Sequence, residues 1–314
     1  MIKLLNTEPE GYSLEAKSIL DSFAHVSSGP YKREYLLKKG SLFDGLIVRL
    51  SHLIDKNLID AFPDLKVIAT ATTGLDHIDC AYAESKGIKI LSLKNQSEFL
   101  EKIYATAEHT WALILALLRN IPSASQSVSH GYWNRDQFKG HELHGKTIGI
   151  VGLGRIGNMV AKYAKAFGMS VIANTKEDVS QHKNVKIVKD LDKLLNISDI
   201  VTIHVPLTPD TKNLIGDKEF KEMKKNALLI NTSRGELVDE VALIHALKNN
   251  TISGAALDVI VDENKMIENG YSKVVEFSKS NRCLIITPHL GGATYESMEK
   301  SEIFIANKLK LYFT

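Results

Sequence analysis

The chain is expected to fold as an α/β protein with two doubly wound parallel sheets. Short β-rich runs alternate with helical periodicity from end to end, and the alternation resets once before the middle. A length of 314 residues exceeds one typical domain and suffices for two cores.

The first series offers the strands "IKLL", "DGLIVRL", "LKVIATA" and "IKILSL". A long apolar helix, "ATAEHTWALILALLRN", and a loop-rich arm, "PSASQSVSHGYWNRDQFKGHELHGK", come next. The second series opens at "TIGIVGLG" and continues through "SVIAN", "VKIV", "DIVTIHV", "ALLINTS", "SGAALDV" and "CLIITP". Six or seven strands complete a doubly wound sheet. The connection at 264–282 reads as a long loop with no functional account. The closing segment, "YESMEKSEIFIANKLKLYF", reads as an amphipathic helix able to pack on either domain.

Apolar residues make up 44%, charged residues 24%, and the formal net charge is +2, so no field for nucleic acid or an acidic partner is expected. Lysines interleaved with acids, as in "KEFKEMKKN", mark solvated helix faces. Cys80 and Cys283 lie far apart without metal-type spacing, which fits a reducing compartment. "HELH" at His141 to His144 lacks a third ligand nearby, so no metal is expected. The N-terminal apolar run is too short for a signal peptide, and the long helix carries Glu108, His109 and Arg119 and falls short of a bilayer span. A cytoplasmic protein with no membrane partner is the expectation.

Gly152, Gly154 and Gly157 form a G-x-G-x-x-G directly after a strand and before the helix "NMVAKYAKAFG". The first glycine allows the tight turn, the second the approach of a pyrophosphate, and the third close helix–strand packing. The helix start adds free amides and a positive dipole end, so a dinucleotide site is expected. The next strand, in "GMSVIANTKED", ends in Asn174, Thr175 and Lys176, where such strands usually carry an acid that holds the adenosine ribose. Thr175 would not repel a 2′-phosphate and Lys176 would attract it, which mildly favours NADP over NAD. Glu177 and Asp178, slightly further on, stay open as ribose ligands.

Arg234 in "LLINTSRGELVDE", Glu263 in "AALDVIVDE" and His289 in "LIITPHLGG" stand near the ends of late strands, where ligands of open parallel sheets collect. Arginine can grip a carboxylate bidentately. Histidine can give or take the proton that accompanies hydride transfer, and a neighbouring carboxylate stabilises its imidazolium. Taken singly, each has a plainer reading: Arg234 as a surface ion-pair partner, Glu263 as loop solvation, His289 as strand-end packing. Asp262 is the near rival of Glu263.

In this order, "VGLGRIG", "HVPLTPDTKNLI", "LLINTSRGELVDEVALIHAL", "GAALDV" and "TPHLGG" resemble the D-isomer-specific 2-hydroxyacid dehydrogenase family, which includes glyoxylate/hydroxypyruvate reductases and phosphoglycerate dehydrogenases. The match runs from about "IVRL" to "TPHLGG". It implies a Rossmann dinucleotide domain at 100–289 inserted into a flavodoxin-like substrate domain made of 1–99 and the returning helix at 290–314. It also implies hydride transfer between NAD(P)H and a small 2-keto or D-2-hydroxy acid of the glyoxylate, hydroxypyruvate or phosphohydroxypyruvate kind.

By the same resemblance, Arg234, Glu263 and His289 are the catalytic set, and Asp258 bonds the nicotinamide carboxamide. Arg155, Ile156, Thr106, His204, Val205, Pro206, Thr211, Thr232, Ser233 and Gly291 complete the cofactor surroundings, and backbone amides at Thr73 and Gly74 receive the substrate carboxylate. Arg49 in "LIVRLSH" is placed to bind a second anionic group, or else forms a helix-facing ion pair. Trp133 falls in the arm that wraps a dimer partner in the family, so a homodimer is expected; His109 reads as a satisfied interdomain histidine. Ile260 stands where the family usually has phenylalanine, and the connection to Pro288 is longer and lacks proline, so substrate specificity is not carried over. Readings from other classes are a dinucleotide-sensing binding protein of the corepressor type and a formate- or phosphite-type dehydrogenase.

Overall fold

The structure, a computed structural model, describes residues 1–29, 31–39, 42–176 and 185–314. It divides into two compact units, Met1–Ile103 with Ala293–Thr314, and Tyr104–Gly292. These limits fall a few residues beyond 99/100 and 289/290, because Phe99 and Leu100 pack into the first core while Gly291 bonds within the second unit.

The first unit holds β1 (Ile2–Asn6), β2 (Ala24–Ser28), β3 (Gly45–Val48), β4 (Val67–Thr70) and β5 (Lys89–Leu91), all parallel, in the flavodoxin-like order β2-β1-β3-β4-β5. β3 and β4, GLIV and VIAT, are buried at every residue, as expected where helices cover both faces of a sheet. Leu46, Val48 and Ile68 enter one core with Leu58 and Phe62. Ile47, Val67 and Ala69 enter the other with Ile305 and Leu309, so the closing helix Tyr295–Phe313 belongs to this unit. β2 has no counterpart in the sequence reading: as a half-exposed edge strand, AHVSS lacks the apolar run that marks its neighbours.

The second unit holds β6 (Thr147–Val151), β7 (Ser170–Asn174), β8 (Lys186–Ile187), β9 (Ile200–Ile203), β10 (Leu228–Asn231), β11 (Gly254–Leu257) and β12 (Leu284–Ile286). All are parallel, in the order β12-β11-β10-β9-β6-β7-β8. This is the Rossmann order with one strand added, and its direction of progression reverses between β6 and β9, the point at which open parallel sheets bind ligands beyond their carboxyl ends. The connection at 264–282 is not a loop. Helices Glu263–Asn269 and Lys273–Ser278 place Met266, Val274, Val275 and Phe277 against the core. Both are too short to show a period, and Gly270 at φ +66° ends the first. Among the described residues, no helix is long and apolar enough to cross a membrane.

Candidate active site

The turn after β6 needs its glycines for different reasons. Gly152 takes φ +96°, and a Cβ there would lie 2.5 Å from the His204 carbonyl oxygen, so the turn sits against the end of β9. A Cβ on Gly157 would lie 2.2 Å from the Gly152 carbonyl oxygen. Around the Gly154 Cβ position, by contrast, nothing lies within 4 Å. Gly154 is the N-cap of the Arg155–Ala166 helix, which no side chain caps. Among the described residues, the amides of Leu153, Gly154 and Ile156 donate to no acceptor. Open space and uncapped amides at a helix start suit a pyrophosphate.

Beside this turn, His204 Nε2 lies 2.9 Å from Thr202 Oγ1, and burial pushes its imidazole down to about 3, which keeps the ring neutral. Val205 and Pro206 continue into a loop held by Thr211, whose Oγ1 donates to the Pro206 carbonyl at 2.8 Å. At the end of β7, Asn174 Nδ2 donates to the carbonyls of Val188 and Lys189 at 2.9 and 2.8 Å, tying the end of β7 to the segment that leaves β8. Its amide donors are thus committed to the backbone. Thr175 is half-buried and Lys176 exposed, while Glu177 and Asp178 lie outside the described residues.

Arg234, Glu263 and His289 follow β10, β11 and β12, which are sheet neighbours. Buried Asn231 shapes the first turn: its Nδ2 donates to the Arg234 carbonyl at 2.7 Å and its Oδ1 accepts from Ser233 N at 3.0 Å. Ser233 Oγ donates to the Ile203 carbonyl at 2.9 Å, and Arg234 Nη1 donates to the Ser233 carbonyl at 2.6 Å. A Cβ on Gly235 would lie 2.1 Å from the Ile260 carbonyl carbon, so the arginine turn and the segment leading to Glu263 touch through backbone. Glu240 ties the same pair, its Oε1 accepting from Val261 N at 2.7 Å.

Glu263 opens its short helix, and its Oε2 accepts from His289 Nδ1 at 2.8 Å. Asp262, the rival, instead pairs with Lys265. His289 itself lies at φ +55°, a conformation costing an L-residue about 1–2 kcal/mol. It persists because its amide donates to the Asp258 carbonyl at 2.8 Å. Asp258 is 1% exposed. Its Oδ1 accepts from His109 Nε2 at 3.0 Å, Thr287 Oγ1 at 2.6 Å and Leu290 N at 2.8 Å, and its Oδ2 from Gly291 N at 2.7 Å. Burial alone would raise this carboxyl; the bonds from His109, Thr287 and Leu290 outweigh it and hold it below the usual carboxylate range.

Asp258 was expected as a nicotinamide contact; three protein donors converge on its Oδ1 and one reaches Oδ2, which keeps a further acceptor position. His109 was expected between domains; both its partners lie in its own unit. The available signal was a histidine beside Glu108 at the start of a largely apolar helix, which implies a partner without saying which. Thr106 lines the same corner, its methyl 3.4 Å from where a Gly291 Cβ would stand, and Thr232 Oγ1 meets Thr110 Oγ1 at 2.9 Å.

In the first unit, Arg49 makes an ion pair: Nη2 lies 2.5 Å from Glu302 Oε1 on the closing helix, and Nη1 donates to the Glu10 carbonyl at 3.0 Å. Glu302 is 1% exposed, so this arginine neutralises a buried carboxylate, the ion-pair alternative for that position. Thr73 and Gly74 follow β4, and among the described residues their amides donate to no acceptor. Trp133 is 89% exposed on the arm. Among the described residues, no group of three potential metal ligands gathers.

Residues 111–291 match the family model described as D-isomer specific 2-hydroxyacid dehydrogenase, NAD binding domain. The chain is 38% identical over 320 residues to D-3-phosphoglycerate dehydrogenase of Methanocaldococcus jannaschii, covering 99% of this chain but 57% of that protein. It is 40% identical over 286 residues to glyoxylate reductase of Thermococcus litoralis, covering 88% of this chain and 82% of the other. Among solved structures, D-lactate dehydrogenase of Aquifex aeolicus with NAD and lactic acid superposes with a TM-score of 0.84 at 29% identity, over 99% of this chain and 95% of that one. The family model over more than half of the chain and these relatives place the chain in the D-isomer-specific 2-hydroxyacid dehydrogenase family.

Proposed function

We propose that the protein is an NAD(P)-dependent oxidoreductase that moves a hydride to or from C2 of a small 2-keto or D-2-hydroxy acid, of the glyoxylate, hydroxypyruvate or phosphohydroxypyruvate kind. The observation that carries this is the 2.8 Å bond between His289 Nδ1 and Glu263 Oε2, on the sheet that bears the glycine turn. With Nδ1 held by a carboxylate, Nε2 is the ring nitrogen that exchanges a proton with the substrate oxygen. Arg234 offers its planar fork to the substrate carboxylate and polarises the adjacent carbonyl.

Gly152 to Gly157 hold the pyrophosphate, while Thr106, His204 to Pro206 and Gly291 surround the nicotinamide half. When bound, the nicotinamide supplies or accepts the hydride. As the carbonyl oxygen gains charge during reduction, His289 Nε2 protonates it; in oxidation the same nitrogen takes the proton back.

The cofactor is read as NADP in preference to NAD, because among the described residues β7 ends in Asn174, Thr175 and Lys176 with no acid to repel a 2′-phosphate. A homodimer is supported by the exposed apolar residues of the arm, Ile121, Val128, Tyr132 and Trp133, at 51%, 49%, 69% and 89%. A reducing, cytoplasmic setting suits Cys80 and Cys283, both free thiols pushed up by burial.

The test is a coupled set of assays with glyoxylate, hydroxypyruvate and phosphohydroxypyruvate against NADH and NADPH, beside formate and phosphite. Reduction of any of the three keto acids supports the reading. Dinucleotide binding without turnover would shift it to a sensing protein, and oxidation of formate or phosphite to the other dehydrogenase class.

A further inference from the structure

The imidazole that moves the proton in this reading stands on a turn, 287–291, whose donors mostly reach outside it. Four donors from that turn converge on one residue, Asp258: the Thr287 hydroxyl and the amides of Leu290 and Gly291 reach its carboxylate, and the His289 amide reaches its carbonyl. The remaining donor to the carboxylate comes from elsewhere. His109, on the Ala105–Leu118 helix, places Nε2 3.0 Å from Asp258 Oδ1 and 3.0 Å from Thr287 Oγ1. Because the Thr287 hydroxyl donates to Asp258 at 2.6 Å, its oxygen is free to accept, and an Nε2–H on His109 satisfies both neighbours.

A carboxylate 1% exposed keeps a single orientation only while its oxygens have donors. Backbone bonds tie the Asp258 amide to the Asn231 carbonyl and the Thr287 amide to the Leu257 carbonyl, but the carboxylate's donors Thr287, Leu290 and Gly291 all belong to the turn, so they cannot fix its orientation against the rest of the unit. His109 can, since its helix packs through Trp111, Leu113, Ile114 and Leu117 into the core under the sheet.

We propose that His109 is a positioning residue for His289: it anchors Asp258, and through Asp258 the turn that gives His289 its φ of +55° and its bond to Glu263. The proposal rests on the reading of His289 as the proton-transferring group.

The test compares His109→Leu, which fills the space without a donor, His109→Ala, and His109→Gln, whose amide can still donate to Asp258. Two readouts are taken on the full chain: steady-state glyoxylate reduction with NADPH and NADH beside dinucleotide Kd, and the proton NMR signal of His289 Nδ1–H, identified by its loss in His289→Ala. Leu and Ala are expected to lower kcat about 10–100-fold, the range for removing a partner that orients a reacting ligand. Dinucleotide Kd should stay within about twofold, the Nδ1–H signal should be lost, and Gln should restore both signal and kcat. Unchanged kcat and signal in Leu, Gln as impaired as Leu, or a loss confined to dinucleotide Kd would each overturn the proposal. If Ala fails to fold, the Leu–Gln pair still decides. Should the wild type reduce no keto acid, the reading of the reaction falls while the Nδ1–H signal still decides whether His109 positions His289.

Discussion

At the carboxyl ends of β6 and β7 the chain presents backbone: three glycines, a run of uncapped amides, and an asparagine whose side chain is bonded to two carbonyls of its own chain. At the carboxyl ends of β10, β11 and β12 it presents side chains bonded to one another: Asn231 to the Arg234 turn, Glu263 to His289, and Asp258 to His109 and the 287–291 turn. The two halves of one sheet thus use opposite devices. A bound anion needs donors left open, and glycine leaves them open by adding nothing. A proton-transferring group needs one orientation, which a half-buried histidine keeps only when each polar neighbour is itself held.

The largest effects are expected where the second half is broken. His289→Ala removes the proton donor and should lower kcat by about 10²–10⁴ with dinucleotide affinity retained. Arg234→Ala should cost a similar factor in kcat/KM, because a carboxylate clamp acts on the substrate before and during transfer. Full activity in either, measured by steady-state kinetics beside a fluorescence titration of dinucleotide, would remove the late-strand set from the chemistry.

The first half separates binding from folding at two glycines three residues apart. Gly157→Ala drives a methyl to 2.2 Å from the Gly152 carbonyl oxygen, so about 1–3 kcal/mol of stability should go together with binding. Gly154→Ala meets nothing within 4 Å, so the thermal midpoint should hold while dinucleotide affinity falls roughly tenfold, equivalent to about 1.4 kcal/mol. Calorimetry on both variants checks this, and a Gly154→Ala that unfolds early would mean the turn is packed rather than open.

That contrast also sets what could be read from the sequence. Period and apolar runs carry β1, β3 to β5 and the whole second series, since a parallel strand covered on both faces writes itself as a run such as GLIV or VIAT. β2 fails that test at the sheet edge. The two helices within 263–278 fail it by brevity, each holding less than two turns of pattern. In the site, type and spacing marked the glycine triplet and offered Arg234, Glu263 and His289 as candidates, which only the family resemblance joined into one set. Residues that act through a partner were not marked in this way. For Arg49 the ion pair was one of two readings without a named partner until Glu302, 253 positions away, was placed beside it, and the role proposed for His109 comes only through Asp258, 149 positions away.

A smaller effect tests the open half. Lys176 is exposed at the end of β7, and an exposed charge contributes about 1 kcal/mol at most, so Lys176→Ala should weaken NADPH about fivefold and leave NADH nearly unchanged. Titration of both dinucleotides checks it, and equal loss for both would give Lys176 no part in telling them apart.

The smallest effect concerns two carboxylates of the locked half whose titrations run in opposite senses. Burial pushes Glu240 up, helped by Glu236, Asp262 and Asp239 and only partly countered by the Val261 amide. A carboxyl raised on folding favours the folded state most below the usual carboxylate range, and that contribution is lost as pH rises through its folded value. Glu240→Gln keeps an acceptor for Val261 and removes the charge, so at neutral pH its thermal midpoint should match or exceed the wild type, with the gain vanishing in acid. Asp258 is held low despite its burial, so its contribution is complete above the usual range and is lost as pH falls through its folded value. Asp258→Asn should therefore be less stable than wild type at neutral pH, with the gap closing on acidification. Melting both variants across acid and neutral buffers reads the two signs directly, and parallel behaviour would mean that one carboxylate does not hold the bonds drawn for it here.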